Sequence, residues 1–367
     1  MKIFEELDRR GHEQVVYCHD ANSGLRAIIA IHNTVLGPAL GGARMWTYQS
    51  EDEALTDALR LSRGMTYKAA AAGLNLGGGK AVIIGDPKRD KTEPLLRAYG
   101  RFVQSLAGRY ITAEDVGTTV QDMEVVRMET DYVTGISRTL GGSGDPSPVT
   151  ALGLFEGMQA CAKKLWGKDS LEGVTIAIQG VGHVGYHLCQ HLHREGAQVK
   201  IADIDADNLR KAADAFGSTV VGVDEIYSTE CEIFAPCALG AVIDDRTIPK
   251  LRCSIIAGSA NNQLADEQRH AEMLVKRNIL YAPDYVINAG GLINVANEFD
   301  GYDRERAVQQ AAGIYDILTE VLAIAERENV TTVQAANTMA ERRIASMSKL
   351  TRTYLGAPRQ RRGRGIT

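Results

Sequence analysis

Lys68, Lys80 and the acidic pair Glu114-Asp115 are the residues of this 367-residue chain whose types and settings could do chemistry together. Lys68 ends an amphipathic segment. Lys80 follows Gly73-Leu74-Asn75-Leu76-Gly77-Gly78-Gly79, and Glu114-Asp115 closes the apolar run Tyr110-Ile111-Thr112-Ala113. A lysine that is partly desolvated, or beside another cation, loses its charge more readily and can act as a base near neutral pH. A lysine that stays charged can instead hold a carboxylate. Two lysines and one acid converging on a small polar substrate would bind an anionic group and handle its protons. Each also has an ordinary structural use: Lys68 as a solvated helix end, Lys80 as a strand-end charge, Asp115 as a helix cap.

The glycine run before Lys80 invites a phosphate-loop reading, which the residues reject. That loop needs Gly-x-x-x-x-Gly-Lys-Ser/Thr leading from a strand into a helix. Here Leu74 stands where the first glycine belongs, Ala81 replaces the hydroxyl residue, and the apolar run Ala81-Val82-Ile83-Ile84 reads as a strand.

A second signal is dinucleotide binding. The apolar run Val174-Thr175-Ile176-Ala177-Ile178-Gln179 enters Gly180-Val181-Gly182-His183-Val184-Gly185, a helix follows, and Gln198-Val199-Lys200-Ile201-Ala202 leads to Asp203. In such a unit the first glycine permits the turn, the second lets a pyrophosphate approach the backbone, and the third lets helix and strand pack. Asp203 is placed to accept both ribose hydroxyls and to repel a 2′-phosphate, so NAD is expected over NADP.

The elements that must position these groups read as α/β throughout. Gln14–Cys18 and Leu25–His32, joined at Asn22-Ser23-Gly24, form a hairpin. Gly37-Pro38-Ala39-Leu40-Gly41-Gly42-Ala43-Arg44 breaks regular structure, its paired glycines offering backbone N–H groups to an anion. Ser50 caps a helix running to about Lys68, a glycine-rich turn leads to a strand at Ala81–Ile84, and Thr92 and Thr119 cap two more helices. The run Gly141-Gly142-Ser143-Gly144-Asp145-Pro146-Ser147-Pro148 reads as a hinge, and a helix continues from Val149. Beyond the fingerprint, short apolar runs at 219–221, 233–236, 254–258 and 279–283 alternate with helical stretches, the pattern of a parallel sheet covered on both faces. Long helices are expected at about 303–328, capped by Asp303, and 333–350, capped by Thr332.

With 44% hydrophobic and 24% charged residues and a net charge of −5, the chain shows no basic face for nucleic acid. No apolar run is long enough to cross a bilayer, and the N-terminus lacks signal-peptide architecture, so the expected location is the cytoplasm. The six cysteines show no metal-ligand spacing, and no metal is expected. Residues 353–367, arginine-rich without apolar pattern, are expected to be disordered.

The chain resembles the Glu/Leu/Phe/Val amino-acid dehydrogenase family over nearly its whole length. The resemblance is carried by residues 37–46, Arg63-Gly64-Met65-Thr66-Tyr67-Lys68, Gly77–Lys80, Thr112–Thr118, Pro146–Ala151, the Gly180 fingerprint, Ala260-Asn261-Asn262-Gln263 and Asn288-Ala289-Gly290-Gly291. At Ala43 it departs from the family's threonine. The resemblance implies two domains with a cleft between: an N-terminal α/β substrate domain (1–140, joined by a C-terminal helix at about 331–352) and a Rossmann-type doubly wound dinucleotide-binding domain (141–330). It implies oxidative deamination of an L-amino acid by NAD in a homo-oligomer. Lys68 would bind the substrate carboxylate with the Gly41-Gly42 backbone, Lys80 would be the general base on water, and Asp115 would handle protons at the substrate nitrogen. Thr150 and Asn261 would lie near the nicotinamide, and Asn262 near the substrate. The substrate side chain would meet Leu40, Met65, Ala113, Leu292 and Val295, none of them charged. Such a pocket disfavours glutamate, whose carboxylate would be unpaired. It suits leucine, valine or isoleucine, with phenylalanine as the alternative. A non-catalytic NAD-binding regulator and an RNA-binding protein acting through the arginine-rich tail are the rival classes.

Overall fold

The computed structural model describes residues 2–238 and 240–350, without the Asp300 side chain. The tail expected to be disordered lies outside the described residues, as do residues 351–352 of the expected C-terminal helix.

The first half begins with helix α1 (Ile3–Arg10) and the antiparallel hairpin β1 (Gln14–Asp20) and β2 (Leu25–Asn33). It continues through β3 (Ala39–Trp46), α2 (Glu51–Ala71), β4 (Gly77–Ile84), α3 (Glu93–Ser105), β5 (Tyr110–Glu114) and α4 (Val120–Arg127). The sheet order is β1-β2-β4-β3-β5, with β4, β3 and β5 mutually parallel and β2 antiparallel to β4. Side-chain alternation sorts its two cores. Ile28, Ala30 and Val82 pack under Ala54, Leu55, Ala58 and Leu59 of α2. Ile29, Ile31, Ala81 and Ile83 pack on the other face with Leu95, Leu96, Tyr99 and Val103 of α3. Ser50, Thr92 and Thr119 cap their helices, Thr119 in a reciprocal box with Asp122.

Two expectations need correcting here. Residues 39–46 form the strand between β4 and β5 instead of a break, and β4 begins at Gly77, so the three glycines lie within the strand. They serve close approach, not unusual turn dihedrals. A Cβ on Gly41 would lie 1.7 Å from the Gly79 carbonyl oxygen, and one on Gly78 would lie 2.1 Å from the Thr66 nitrogen of α2. Glycine usage that reads as a turn is here a thinning of the sheet, which lets helix and neighbouring strand settle onto it.

The second half starts with α5 (Ser147–Trp166) and alternates β6 (Thr175–Gln179), α6 (His183–Glu195), β7 (Gln198–Ala202), α7 (Ala206–Phe216), β8 (Thr219–Val220), β9 (Ile233–Pro236), β10 (Ile255–Ile256), α8 (Glu267–Lys276) and β11 (Leu280–Tyr281). All pairs are parallel, in the order β11-β10-β9-β6-β7-β8. Counted from β6, this is the doubly wound order 3-2-1-4-5-6, whose switch point lies between β6 and β9. Helices α9 (Asp284–Ile287), α10 (Gly290–Ala296), α11 (Arg304–Ala312), α12 (Ile314–Glu328) and α13 (Thr332–Ser348) complete the chain.

The helix expected over 303–328, capped as expected by Asp303, is interrupted at Gly313. The last helix is capped by Thr331 instead of Thr332. Thr331 forms a reciprocal box with Gln334, while the Thr332 hydroxyl donates to the Tyr281 carbonyl at 2.7 Å. Helix α13 returns to α2, where Arg343 donates to the carbonyls of Ala70, Gly73 and Leu74 at 2.8–2.9 Å. Its guanidinium adds to the Ala70 carbonyl at the end of α2, satisfies carbonyls of the turn that follows and faces the negative end of that helix. Among the described residues no helix is long and apolar enough to cross a membrane, and no cluster of His, Cys, Asp or Glu could hold a metal ion.

Candidate active site

Sheet register decides which side chains meet. Gly42 pairs with Ala113 across β3 and β5, and its missing Cβ makes room for Glu114 and Asp115: a methyl there would lie 2.4 Å from the Glu114 carbonyl oxygen and 2.9 Å from Asp115 Cβ. The β3–β4 ladder pairs Leu40 with Gly78 and Ala43 with Ala81 but skips Gly41 and Gly42. Just past β5, the Asp115 backbone N–H donates to Thr118 Oγ1 at 2.9 Å, and that hydroxyl donates to the Ala43 carbonyl at 2.8 Å. Asp115 is thereby fixed over β3.

Lys80, the fourth residue of β4, is 4% exposed, and its Nζ lies 2.9 Å from Asp115 Oδ2. The same oxygen accepts Arg44 Nε at 2.8 Å. Burial pushes the Lys80 pKa down and Arg44 adds to that, while Asp115 opposes it. Burial alone would raise Asp115, but Lys80 and Arg44 outweigh it and hold the carboxyl below its ordinary value. Lys68 lies in the last turn of α2 and is half-buried. Burial pulls its pKa to about 8, Asp284 and Asp115 working against the shift and Lys80 with it. The three residues read from the sequence thus share one electrostatic environment. Glu114, half-buried, is shifted upward by burial and by Asp145 and Asp115.

Beside these charges lies an apolar patch. Leu40, Ala69, Leu76, Ile111 and Leu292 are buried together, with Met65 and Val295 packed against them. Residues from β3, α2 and α10 therefore meet at the end of the sheet where Lys68 stands. Ala113, 8% exposed, faces Gly42 in the ladder.

The fingerprint glycines divide their work. Gly180 has φ +96°, and a Cβ there would lie 2.6 Å from Ala238 Cβ. A Cβ on Gly185 would lie 2.1 Å from the Gly180 carbonyl oxygen, whereas one on Gly182 would meet nothing. The open position begins α6, where backbone N–H groups and the helix dipole favour an anion. These residues fit a dinucleotide: the cradle is empty of protein where a pyrophosphate must come closest. Val181 lines the buried side of this turn, while His183 is exposed and Val184 half-buried. Asp203 follows β7 and accepts the Val181 N–H at 2.7 Å and the Asp205 N–H at 2.9 Å, which orients its carboxylate at the mouth of the cradle. Thr150, in the first turn of α5, donates to the Pro146 carbonyl at 3.0 Å, and its Oγ1 would lie 2.9 Å from a Cβ placed on Gly291. Asn261 accepts Asn288 Nδ2 at 2.8 Å, and Asn262 is exposed with φ +53°.

Several participants escape sequence reasoning. Asp284, the first residue of α9, accepts the Gln263 N–H at 3.0 Å and so ties the 261–263 loop to the helix that faces Lys68. Its position after Pro283 at a strand end is the one local signal. Glu298 accepts the N–H groups of Gly135 and Ser143, at 3.1 and 2.8 Å, and pins the 135–143 segment from more than 150 residues away, with no local signal at all. Arg44 and Asp57 join the Asp115 cluster, and nothing in their spacing announces it.

Comparison with known proteins gives a consistent picture. Residues 12–132 match the family model described as Glu/Leu/Phe/Val dehydrogenase, dimerisation domain, and residues 141–352 the model described as Glutamate/Leucine/Phenylalanine/Valine dehydrogenase. The chain is 60% identical to leucine dehydrogenase of Thermoactinomyces intermedius, over 97% of each sequence. It is 49% identical to phenylalanine dehydrogenase of the same organism, over 97% of this chain and 98% of the relative. The crystal structure of L-tryptophan dehydrogenase from Nostoc punctiforme superposes with a TM-score of 0.85 at 51% identity, covering 95% of this chain and all of that one.

Proposed function

This chain belongs to the Glu/Leu/Phe/Val dehydrogenase family, and from that premise we propose that it oxidatively deaminates a branched-chain L-amino acid. NAD⁺ and water would be consumed, and the 2-oxo acid, ammonium, NADH and a proton released. The observation that carries this reading is the buried Lys80–Asp115 pair at 2.9 Å, with Lys68 and an uncharged apolar patch beside it.

A charged Lys68 holds the substrate carboxylate, and the Gly41-Gly42 backbone lies alongside. This fixes Cα between Lys80 and the second half of the molecule. Bound between the Gly180–Gly185 cradle, Asp203, Thr150 and Asn261, the nicotinamide dinucleotide would supply the acceptor for the Cα hydride. Asp115 accepts a proton at the substrate nitrogen. Lys80, its charge disfavoured by burial, takes a proton from the water that attacks the iminium carbon. Asp115 returns its proton to the nitrogen of the resulting carbinolamine. The C–N bond then breaks as the hydroxyl proton passes to the departing ammonia, leaving the 2-oxo acid and ammonium, and Lys80 gives the water's proton to solvent. Asn262 would contact the substrate near the nicotinamide.

Leu40, Met65, Ala113, Leu292 and Val295 line the side-chain end. The absence of a counter-ion among them disfavours glutamate, because an unpaired buried carboxylate costs several kcal/mol. Leucine, valine and isoleucine differ by a methylene or its branching, worth about 1–3 kcal/mol in such a pocket, so all three should react. Asp203 favours NAD over NADP through its charge. Subunit association is proposed from the dimerisation-domain match over residues 12–132.

The test is initial-rate reduction of NAD⁺ and NADP⁺ with leucine, valine, isoleucine, phenylalanine and glutamate. The expected result is NADH formation from the three aliphatic substrates. A dominant rate with phenylalanine would move the enzyme to the aromatic branch, and a glutamate or NADP⁺ preference would overturn the pocket or Asp203 argument.

A further inference from the structure

Asp115 Oδ2 receives two cations, Lys80 Nζ at 2.9 Å and Arg44 Nε at 2.8 Å, and only the first has a part in the chemistry above. The Arg44 guanidinium reaches on from β3 to Asp57 Oδ2 of α2 at 3.1 Å. Asp57 in turn accepts the Tyr48 hydroxyl at 2.8 Å and Arg60 at 3.0 Å. A line of charge-assisted hydrogen bonds therefore runs from Lys80 through Asp115, Arg44 and Asp57. It ends in a surface hollow of about 660 Å³, on whose lining Tyr48 and Arg60 stand. Desolvating charges is costly, and one cation would suffice to neutralise Asp115. A tie between sheet and helix needs only Arg44 and Asp57. The second cation on the catalytic oxygen calls for another explanation.

We propose that Arg44, anchored by Asp57, is a positioning residue that holds Asp115 in place and competes with Lys80 for its Oδ2, so that Lys80 stays free to take up a proton. This rests on the reading of Lys80 as the general base. A carboxylate bonded to a lysine alone stabilises the ammonium. A guanidinium on the same oxygen, which never gives up its own charge, weakens that stabilisation and repels the ammonium directly. The groups facing Lys80 are Asp115 just past β5, Arg44 from β3, and Asp57 and Lys68 from α2. Asp115 also faces Tyr110 and Glu114, Lys68 faces Asp284 of α9, and Arg44 faces Tyr48. Arg44 and Lys68 disfavour the charged form of Lys80; Asp115 and Asp57 favour it.

The experiment is the pH dependence of kcat for wild type, Arg44→Gln, Arg44→Lys and Asp57→Asn, with Lys80→Ala as reference. The substrate's own titration is common to all of them. Lys80 must be neutral to act, so its titration appears as a limb along which kcat rises with pH. Arg44→Gln removes a cation and should move that limb upward by on the order of one pH unit, with a larger loss in kcat than change in KM. Arg44→Lys should return the limb to its wild-type position. Asp57→Asn removes an anion while Arg44 keeps its bond to Asp115, and should move the limb the opposite way, to lower pH. A merely structural role would lower activity without shifting the limb in opposite directions, and that result overturns the proposal. Should Arg44→Gln fail to fold, an unmoved or upward-moved limb in Asp57→Asn overturns it equally. Normal turnover in Lys80→Ala would sink the base reading and this inference together. An inactive Lys80→Ala with unmoved limbs in the other variants sinks the inference alone.

Discussion

The substrate half and the nucleotide half both depend on glycine, but only the nucleotide half turns one of the glycines in its key motif toward open space. In the first, Gly41, Gly42, Gly78 and Gly79 have no need of positive φ, and an added Cβ at each would strike a neighbouring strand, helix or ring within 2.6 Å. Their absence of side chain is filled by protein. In the second, Gly180 and Gly185 are packed as closely, an added Cβ falling 2.6 Å from Ala238 and 2.1 Å from the Gly180 carbonyl, but Gly182 faces open space at the start of α6. That absence is filled by no protein atom. The Lys80–Asp115 cluster is thus held by tertiary packing, which brings charges together from β3, β4, the end of β5 and α2. The cofactor cradle is a local property of one strand, turn and helix. Damage to the first should appear as lost fold, and damage to the second as lost binding.

The most severe test of that difference is Gly41→Ala. Its methyl would need to occupy the space of the Gly79 carbonyl, 1.7 Å away, so β3 and β4 must separate. Overpacking of this kind should cost on the order of 4 kcal/mol, at the upper end for single substitutions. We expect a protein recovered largely insoluble or with a Tm lowered by 10 °C or more in thermal denaturation. A variant with wild-type Tm would show that the thinned sheet can yield.

Acid provides the next largest contrast, because the substrate half carries a pair of buried histidines. His12 Nε2 meets Ser62 Oγ at 2.9 Å, His32 Nδ1 meets Thr66 Oγ1 at 2.8 Å, and the two rings lie 4.7 Å apart beneath α2. Burial lowers both to about 4 from an ordinary 6.5. Because the folded values lie below the unfolded ones, the unfolded chain gains protons first as pH falls. Stability is retained above about pH 6.5 and lost progressively between there and pH 4, by on the order of 2 kcal/mol per histidine at pH 5. Hydrogen exchange at pH 5 should show opening of α1, β2 and α2 ahead of the β6–β7 region. Uniform loss of protection across both halves would break the contrast.

Gly182→Ala should leave the fold alone, since its methyl meets no protein atom. The Tm should stay within a degree or two. NADH affinity, followed by nicotinamide fluorescence, should fall roughly 10- to 100-fold as the pyrophosphate loses its close approach, a loss of about 1.4–2.7 kcal/mol. Unchanged affinity would mean that the cradle is not where the pyrophosphate lies.

The same division explains what was legible in the sequence. Helix starts at Ser50, Thr92, Thr119 and Asp303, the β1–β2 hairpin and the β6-to-Asp203 unit were readable because each signal is complete within a few residues. The strand at 39–46 was not, because its glycines answer to Gly79 and Glu114, and glycine pairs otherwise signal breaks. The Thr331 cap was missed by one residue because Thr332 is an equally good cap by type. The choice depends on Gln334 and on a Tyr281 carbonyl fifty-one residues upstream. In the site, Lys68, Lys80 and Asp115 stood out by residue type and setting, whereas their common environment is a product of sheet order β2-β4-β3-β5. Arg44, Asp57 and Glu298 lacked any such mark, and Asp284 had only its place after Pro283, since each acts on a partner from another element.

The smallest expected effect falls where the two halves face one another. Lys68, on α2, is pulled down to about 8 mainly by its burial and in part by Lys80, while Asp284, on α9 of the second half, resists the shift. To hold a carboxylate it must be charged. Below pH 8 the free enzyme therefore has it ready; above pH 8 binding must also take up a proton, so affinity weakens toward tenfold per pH unit, about 1.4 kcal/mol. A 2-oxo acid carries no amine of its own to titrate, so its dissociation constant in the presence of NADH isolates this term. It should be flat from pH 6.5 to 8 and rise beyond. Asp284→Asn removes an anion that favours the charged form and should move the break to lower pH, without altering the Gly182-dependent affinity for NADH measured alone. If the break stays where it is, Lys68 takes its electrostatic setting from the substrate half only, and the contact from α9 is one of packing.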